Sequence, residues 1–294
     1  MRLAPNRGAA ADGLYVLCYG MEVGCAVSGG VEDKADCVPR RRGAGLGAAR
    51  SVERAAQILR LLGDSGGQGV ADLASALRLS KGTVHGLLQA LASSGLVRQD
   101  PESERYGLGP GLVYLGSRYL LADEVRVCSS RWARLLAKEI DHIVQVGTLH
   151  GFEVLIVNHI GRLEDNIYSS DLGSLQPAHR TAVGKVLLAH RGPATDTLLG
   201  VSYVHQTASD QARLRDELAC VCKQGWAVAG VGVEADQASI ACPIMDRRGE
   251  VVAAIGAVGP AEQLLLGYRP QAGLLERVRS AAVAVSCDLG GPGW

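Results

Sequence analysis

The sequence predicts an α+β protein that joins an N-terminal winged helix-turn-helix to a C-terminal domain built on an antiparallel sheet. Two patterns give this prediction. Residues 49–109 carry three segments with helical apolar spacing, followed by two short strand patterns. From about residue 142 onward, strand patterns and amphipathic helices share the chain. At 294 residues the chain is long enough for two domains with cores of ordinary size.

The first two predicted helices lead into a short turn. Ser51 is a candidate N-cap for a helix that ends near Gly63, and residues 70–77 carry the apolar spacing of a second, shorter helix. Only two residues then separate the second helix from Ser80, the candidate N-cap of a third. This close succession of helices is typical of a helix-turn-helix.

The third predicted helix starts after Ser80, ends near Gly95 and has two different faces. Its inward face is apolar and carries Val84, Leu87, Leu88 and Leu91. Its outward face carries small and polar residues at helical spacing: Gly82, His85, Gly86, Gln89 and Ser93. Two glycines in one helix cost about 1 kcal/mol each relative to alanine, so their presence needs a reason.

A bare outward face allows the helix backbone to approach another molecule closely. Polar side chains surround this face, which suits a helix in the major groove of double-stranded DNA, where side-chain tips read base edges. The alternative is a surface helix with incidental glycines. We predict that the DNA contacts of this helix come from Ser80, Lys81, Gly82, Thr83, His85, Gly86 and Gln89.

The two short strand patterns, residues 96–99 and 105–108, predict a hairpin that forms the wing. Arg98 and Arg105 on this wing, together with Arg50 at the mouth of the first helix, are candidate phosphate contacts. For each arginine the alternative is a solvated surface charge.

Charge composition gives no general attraction to nucleic acid. The chain has 30 Lys and Arg against 30 Asp and Glu. DNA affinity must therefore come from local placement of cations, from the basic run at 40–42, or from pairing of two chains on two half-sites. We expect at least a dimer, joined through the winged helix and a connecting helix at 110–125.

Residues 1–48 are rich in glycine and alanine and have no periodicity, which predicts a disordered N-terminal extension or, alternatively, a basic arm that touches DNA. The eight cysteines lack metal-ligand spacing, so we expect reduced thiols and no metal or other cofactor. No stretch has the length or pattern of a membrane span or signal peptide, so a cytoplasmic protein without a membrane partner is expected.

Residues 126–290 are predicted to form the second domain, an antiparallel α+β fold of the kind that often binds small molecules. Its first hairpin is expected around His150 and Gly151, and Thr181 is a candidate N-cap for a helix. The remaining strands are predicted at 166–169, 226–233, 239–245 and 251–258, and the remaining helices at 211–224 and 272–286.

Several motifs, taken together, resemble the IclR family of transcriptional regulators across about residues 50–290. They occur in the family's order and spacing at 51–55, 81–85, 106–109, 177–187, 225–228 and 241–244. Within the family, segments 81–86 and 154–159 resemble the glycerol-operon regulators of actinobacteria. The resemblance implies a GAF- or profilin-like second domain, a homodimer or homotetramer, and a DNA-binding regulator, expected to be a repressor, of a metabolic operon.

The resemblance also implies an effector site at the start of the helix that Thr181 caps, where the N–H groups of Ala182 and Val183 face an anionic head. The departures from the family pattern concern the other pocket positions. The family's frequent aspartate, cysteine and two serines are replaced by Ala229, Ser239, Gly256 and Val258. Arg78 replaces the usual glycine before the third helix and must bear any left-handed turn there.

These departures leave several effectors open. The resemblance makes glycerol 3-phosphate the leading candidate, and Arg180 and Lys185 close in sequence, with no acid at residue 229, support an anion. A more hydrophobic effector, or lost ligand sensing, are the alternatives. An enzyme built on the second domain is a minor alternative, since no catalytic triad order or phosphate loop is found. A winged helix that binds protein instead of DNA is a further one.

Overall fold

The computed structural model describes residues 44–161, 171–192, 208–230, 236–267 and 269–292. It confirms the predicted fold class. The N-terminal helices are α1 (Ala44–Ser65), α2 (Val70–Leu77) and α3 (Lys81–Ser93), and the antiparallel hairpin of β1 (Val97–Gln99) and β2 (Tyr106–Leu108) follows. Side chains from all three helices and the hairpin form one core, in which Ile58, Leu73, Val84 and Leu88 are completely buried.

The first helix begins earlier than predicted. Ser51 lies inside α1 and is not its N-cap, and the helix passes Gly63 before it ends at Ser65. The physical reason is that five strong helix formers (Ala44, Leu46, Ala48, Ala49 and Arg50) outnumber the two glycines in 44–50, so the helix extends beyond its packed part. The chain divides after Ser51, which leaves residues 44–51 in a first unit. The rest of the predicted extension, 1–43, lies outside the described residues.

Arg78 provides the turn between α2 and α3. Its φ of 52° and ψ of 45° are left-handed, as its position before the third helix predicted. The N–H of Leu79 donates to the carbonyl of Ala74 at 2.9 Å and closes the turn. A side chain in this conformation costs about 1–2 kcal/mol relative to glycine.

We therefore expect Arg78→Gly to raise the free energy of unfolding by about 1 kcal/mol, because glycine removes the strain but gains entropy when unfolded. Urea denaturation followed by circular dichroism measures the change. Arg60 is an exposed arginine inside α1, and Arg60→Gly is the matched control. This substitution should lower the free energy of unfolding by about 1 kcal/mol. A destabilised Arg78→Gly variant would contradict the strain.

Three glycines join the end of α3 to the helix that follows the wing. Gly95, with a φ of 70°, ends α3. Its carbonyl accepts from the N–H of Gly111 at 2.9 Å, while the N–H of Gly109 donates to the carbonyl of Leu96 at 2.8 Å. A Cβ on Gly109 would collide with the Gly95 carbonyl oxygen, so these backbones are in direct contact.

The connecting region forms two helices. α4 (Gly111–Ala122) ends at Asp123, which has extended backbone and caps α5 (Glu124–Ile140) by accepting from the N–H of Arg126 at 2.7 Å. The predicted connecting helix is therefore present, and it stops before residue 125 because Asp123 begins the next helix.

The second domain is a six-stranded antiparallel sheet with helices on both faces, counted over the described residues. Its strands lie in the order β5-β4-β3-β8-β7-β6. The bounds are β3 (Ile143–His150), β4 (Glu153–Ile160), β5 (Leu175–Pro177), β6 (Ala227–Ala229), β7 (Gln237–Met245) and β8 (Val251–Pro260). The expected strand at 166–169 lies outside the described residues. The sequence did not predict β5, because a strand of three residues is too short to show an alternating pattern.

Two apolar cores cover the two faces of this sheet. α5 and α9 (Ala272–Asp288) pack on one face, against Ile240, Ile244 and Ile255. α6 (Ala182–Ala189) and α7 (Ala208–Gln224) pack on the other, against Ala241 and Ala254. A short helix α8 (Ala261–Leu264) and a small hairpin of β9 (Leu265–Leu266) and β10 (Arg269–Pro270) precede α9. Among the described helices, none has the length and apolar character to cross a membrane.

Candidate functional site

The start of α3 is a polar, positively charged helix end. Thr83 donates its N–H to Ser80 Oγ at 3.2 Å, and the two hydroxyls lie 2.8 Å apart, so the predicted N-cap is confirmed. Lys81 is the first helical residue, and no acidic residue stands in the first turn. A cation at the positive end of a helix dipole costs about 0.3–1 kcal/mol, so this arrangement weakens the helix while favouring an anion nearby.

The outward face of α3 is bare, as predicted. Gly82, Gly86, His85 and Gln89 are all exposed. A Cβ added to either glycine would meet no atom within 4 Å, so packing inside the chain does not require glycine there. Gln89 Nε2 and His85 Nε2 lie 3.1 Å apart one helical turn from each other, and this hydrogen bond holds both side chains side by side.

The three predicted phosphate contacts have different surroundings. Arg98 is exposed on β1. Arg105 lies 3.7 Å from the Asp72 carboxylate, with both side chains about 60% exposed, so part of its charge is offset. Arg50 is exposed in the second turn of α1 and not at the mouth of that helix, because α1 begins at Ala44.

The turn of the wing is held by its own aspartate. Asp100 Oδ1 accepts the N–H groups of Glu102 at 2.8 Å and of Ser103 at 3.2 Å. These backbone hydrogen bonds lower the pKa of Asp100, with a smaller contribution from the nearby charge of Arg98. The wing is therefore a tight turn that carries a fixed negative charge beside its exposed arginine.

A cavity of about 200 Å³ lies in the second domain, between the sheet and the start of α6. All of the residues predicted to bind an effector line it: Thr181, Ala182, Val183, Ala229, Ser239, Gly256 and Val258. The structure thus brings together positions that are up to 77 residues apart in sequence. The wall formed by β6, β7 and β8 is mostly apolar, because it presents alanine, glycine and valine.

Sequence reasoning did not assign the other polar residues of this cavity: Gln145, Asp171, Gln176 and Gln237. One of them did leave a signal. Gln145 is a polar residue in the middle of an apolar strand, where it is only 7% exposed. A buried amide needs hydrogen-bond partners, so its position indicated a polar site on that face of β3.

The start of α6 is formed as predicted, with one difference. Thr181 Oγ1 accepts the N–H of Gly184 at 3.0 Å, which confirms the cap. The N–H of Ala182, expected to face a ligand, lies 3.4 Å from Ser239 Oγ. The Ser239 hydroxyl is placed to occupy this donor because β7 packs directly against α6 in the same core.

Lys185 does not line the cavity, contrary to the expectation of a cation close to the ligand. Its Nζ lies 2.5 Å from Glu217 Oε1 on α7 and 3.2 Å from the carbonyl of Val228. Arg180 does line the cavity. Burial lowers the pKa of the neighbouring His179, and the charges of Arg180 and Lys185 lower it further, so that imidazole favours its neutral form.

Comparison with known proteins agrees with both domains. The family model for the IclR helix-turn-helix domain matches residues 51–101, and that for the bacterial transcriptional regulator IclR C-terminal domain matches residues 117–287. The helix-turn-helix and the α+β domain place the chain in the class of DNA-binding transcriptional regulators. The chain belongs to the IclR family, whose members are regulators of transcription and not enzymes.

Two curated relatives are similar over most of their length. The chain is 38% identical over 247 residues to the glycerol operon regulatory protein of Streptomyces griseus, covering 82% of this chain and 96% of the relative. It is 39% identical, with the same coverage, to the protein of that name from Streptomyces coelicolor. The solved structure of an IclR family regulator from Brucella abortus shares the fold, with a TM-score of 0.68, 20% identity and coverage of 85% of this chain and 97% of that one.

Proposed function

We propose that this protein represses an operon of glycerol metabolism and releases it in response to a small metabolite. In this proposal, residues 49–109 form the DNA-binding domain, residues 110–125 form the connecting helix, and residues 126–290 form the effector-binding domain. The observation that carries the DNA assignment is the outward face of α3, where two glycines that packing does not require flank the paired His85 and Gln89. The glycerol assignment rests on the two curated relatives.

A mobility shift and footprint on the DNA upstream of the protein's own gene and its neighbours tests this function. Specific protection of one intergenic site, relieved by an effector, is the expected result. Expression of the neighbouring operon should rise when the gene is deleted. Unchanged expression would refute repression, and binding to no DNA in the neighbourhood would favour a winged helix that binds protein.

The proposed operator complex needs two copies of the chain, and α4 is the surface proposed to join them. Apart from Ser117 and Arg118, this helix consists of apolar and aromatic residues and glycine, and none of its residues is completely buried. Val113 and Leu121, two turns apart, are 71% and 65% exposed. A helix with this many large exposed apolar side chains is normally covered by a partner. A chain with balanced charge also needs a second half-site for useful affinity.

We therefore expect the double variant Val113→Asp and Leu121→Asp to sediment as a monomer at micromolar concentration, where the unmodified protein sediments as a dimer or tetramer. Buried carboxylates would oppose the interface strongly. Leu266→Asp, at an equally exposed leucine (72%) of the β9–β10 hairpin, is the matched control and should leave the assembly unchanged. A double variant that remains dimeric would place the interface elsewhere.

We assign glycerol 3-phosphate as the leading effector of the cavity. The volume of this cavity, about 200 Å³, is smaller than the range of about 300–1,000 Å³ that is usual for sites of drug-sized ligands. This small volume disfavours a bulky hydrophobic effector. Arg180 supplies a cation to the cavity, and the start of α6 supplies the positive end of a helix dipole. Calorimetric titration with glycerol 3-phosphate tests this choice. Binding heat that appears only with an apolar metabolite would favour the alternative, a more hydrophobic effector.

A further inference from the structure

We infer that the wall of this cavity formed by Gln145 and Asp171 selects hydroxyl groups of the effector. This inference rests on the proposed effector-binding role of the cavity and names the chemistry that one side of it recognises. The ligand it predicts is a small polyol with an anionic group at its other end.

The orientation of the Gln145 amide is determined by its neighbours. Gln145 Nε2 donates to Asp171 Oδ2 at 2.8 Å and lies 3.4 Å from His159 Nδ1. A carboxylate only accepts hydrogen bonds, so the amide nitrogen, and not the oxygen, must face Asp171. The imidazole of His159, 3.7 Å from the same carboxylate oxygen, supports the group from behind.

Among the residues that the structure describes, none donates to Gln145 Oε1 or to Asp171 Oδ1. Gln145 is 7% exposed and the side chain of Asp171 is 38% exposed, and both residues line the cavity. A hydroxyl group of a ligand in the cavity can donate to either of these acceptors.

The sheet keeps this wall open. Gln145 on β3 pairs in register with Gly256 on β8, which has no side chain. A Cβ at residue 256 would lie 2.5 Å from the carbonyl oxygen of Ile240 and 3.3 Å from Val183 Cγ2, so larger residues do not fit there. The glutamine is therefore the polar group that its strand pair presents to the cavity.

Acceptors on one wall and donors on the other give the ligand a direction. Hydroxyl groups can donate to Gln145 and Asp171, whereas phosphate oxygens only accept and are repelled by a carboxylate. Arg180 and the start of α6 suit the anionic end instead. A phosphate without hydroxyls would satisfy only half of this site.

The test compares two phosphates that differ only in hydroxyl groups, glycerol 3-phosphate and n-propyl phosphate, by calorimetry on the full chain. We expect the unmodified protein to prefer glycerol 3-phosphate by about tenfold or more, since one satisfied hydrogen bond is worth about that factor. Gln145→Leu should abolish the preference, and Asp171→Asn, which preserves volume, should reduce it. Gln263→Leu, an exposed glutamine of α8 outside the cavity, is the matched control.

Each outcome separates this inference from the proposed function. Equal binding of the two phosphates, or a Gln145→Leu variant with the original preference, would overturn the inference that this wall selects hydroxyl groups. Neither result would affect the proposed role as a regulator. Binding of neither phosphate, nor of glycerol, overturns both the wall and the proposed effector. An unmodified protein that does not bind operator DNA would count against the proposed regulator and not against hydroxyl selection by this wall.

Discussion

Replacing both His85 and Gln89 with alanine is expected to remove most of the protein's preference for its operator over random DNA. Each side chain that reads a base edge contributes about 1–3 kcal/mol of discrimination, or about 5- to 150-fold. Both residues are exposed on the outward face of α3 and are held together by a hydrogen bond of 3.1 Å. Fluorescence anisotropy with operator and scrambled duplexes measures the effect.

The same hydrogen bond predicts that the two substitutions will not be additive. Removing His85 also frees Gln89 to move, so the double variant should lose less than the sum of the single variants. Gln57→Ala, an exposed glutamine of α1, is the matched control and should keep the operator preference. Lys81→Ala should weaken operator and scrambled DNA alike, because a phosphate contact carries no sequence information. An unchanged preference in the double variant would show that α3 does not read bases.

Gly184→Ala is expected to lower the free energy of unfolding of the second domain by about 3 kcal/mol. A Cβ at this position would collide with the backbone of Ala178, including its carbonyl oxygen. Both residues are buried, and the three-residue turn Ala178–Arg180 packs directly on the first turn of α6. The added methyl must therefore separate two backbones, and overpacking of this kind typically costs about 1–3 kcal/mol, occasionally more.

Urea denaturation of the full chain, followed by tryptophan fluorescence, measures this loss. Gly273→Ala near the start of α9 is the control, because no atom lies within 4 Å of its Cβ. The control substitution should raise the free energy of unfolding by about 0.5–1 kcal/mol. Because Thr181 and Ala182 line the cavity, Gly184→Ala should also weaken effector binding at temperatures where the domain remains folded. Equal stability of Gly184→Ala and the unmodified protein would contradict the tight junction.

Sequence patterns predicted α3 well because its information is local. The cap at Ser80, the apolar row and the stop at Gly95 all lie within one helix, so each supports the same boundaries. The start of α1 was misplaced because helix formers precede Ser51, and no local signal marks where such a helix begins.

The cavity was predicted only in part, because its polar wall depends on distant contacts. Family resemblance supplied the positions on α6 and on the last strands of the sheet. It did not supply Gln145 and Asp171, which lie 26 residues apart and meet through the sheet. In the same way Lys185 was expected near the ligand, whereas its partner Glu217 stands 32 residues further on. Such pairings depend on tertiary packing, which periodicity does not encode.

The glycine junction between α3 and α4 has a mechanical consequence. Hydrogen bonds from Gly109 and Gly111 fasten the beginning of α4 to Gly95 and Leu96, directly after α3. We therefore expect a tilt of α4 to rotate the DNA-binding helix α3 with it. With 12 residues, α4 is a lever about 18 Å long, and a tilt of about 10° displaces its end by about 3 Å. That displacement is close to the rise of one base pair, about 3.4 Å, so in the proposed dimer a small rotation is enough to put the two half-sites out of register.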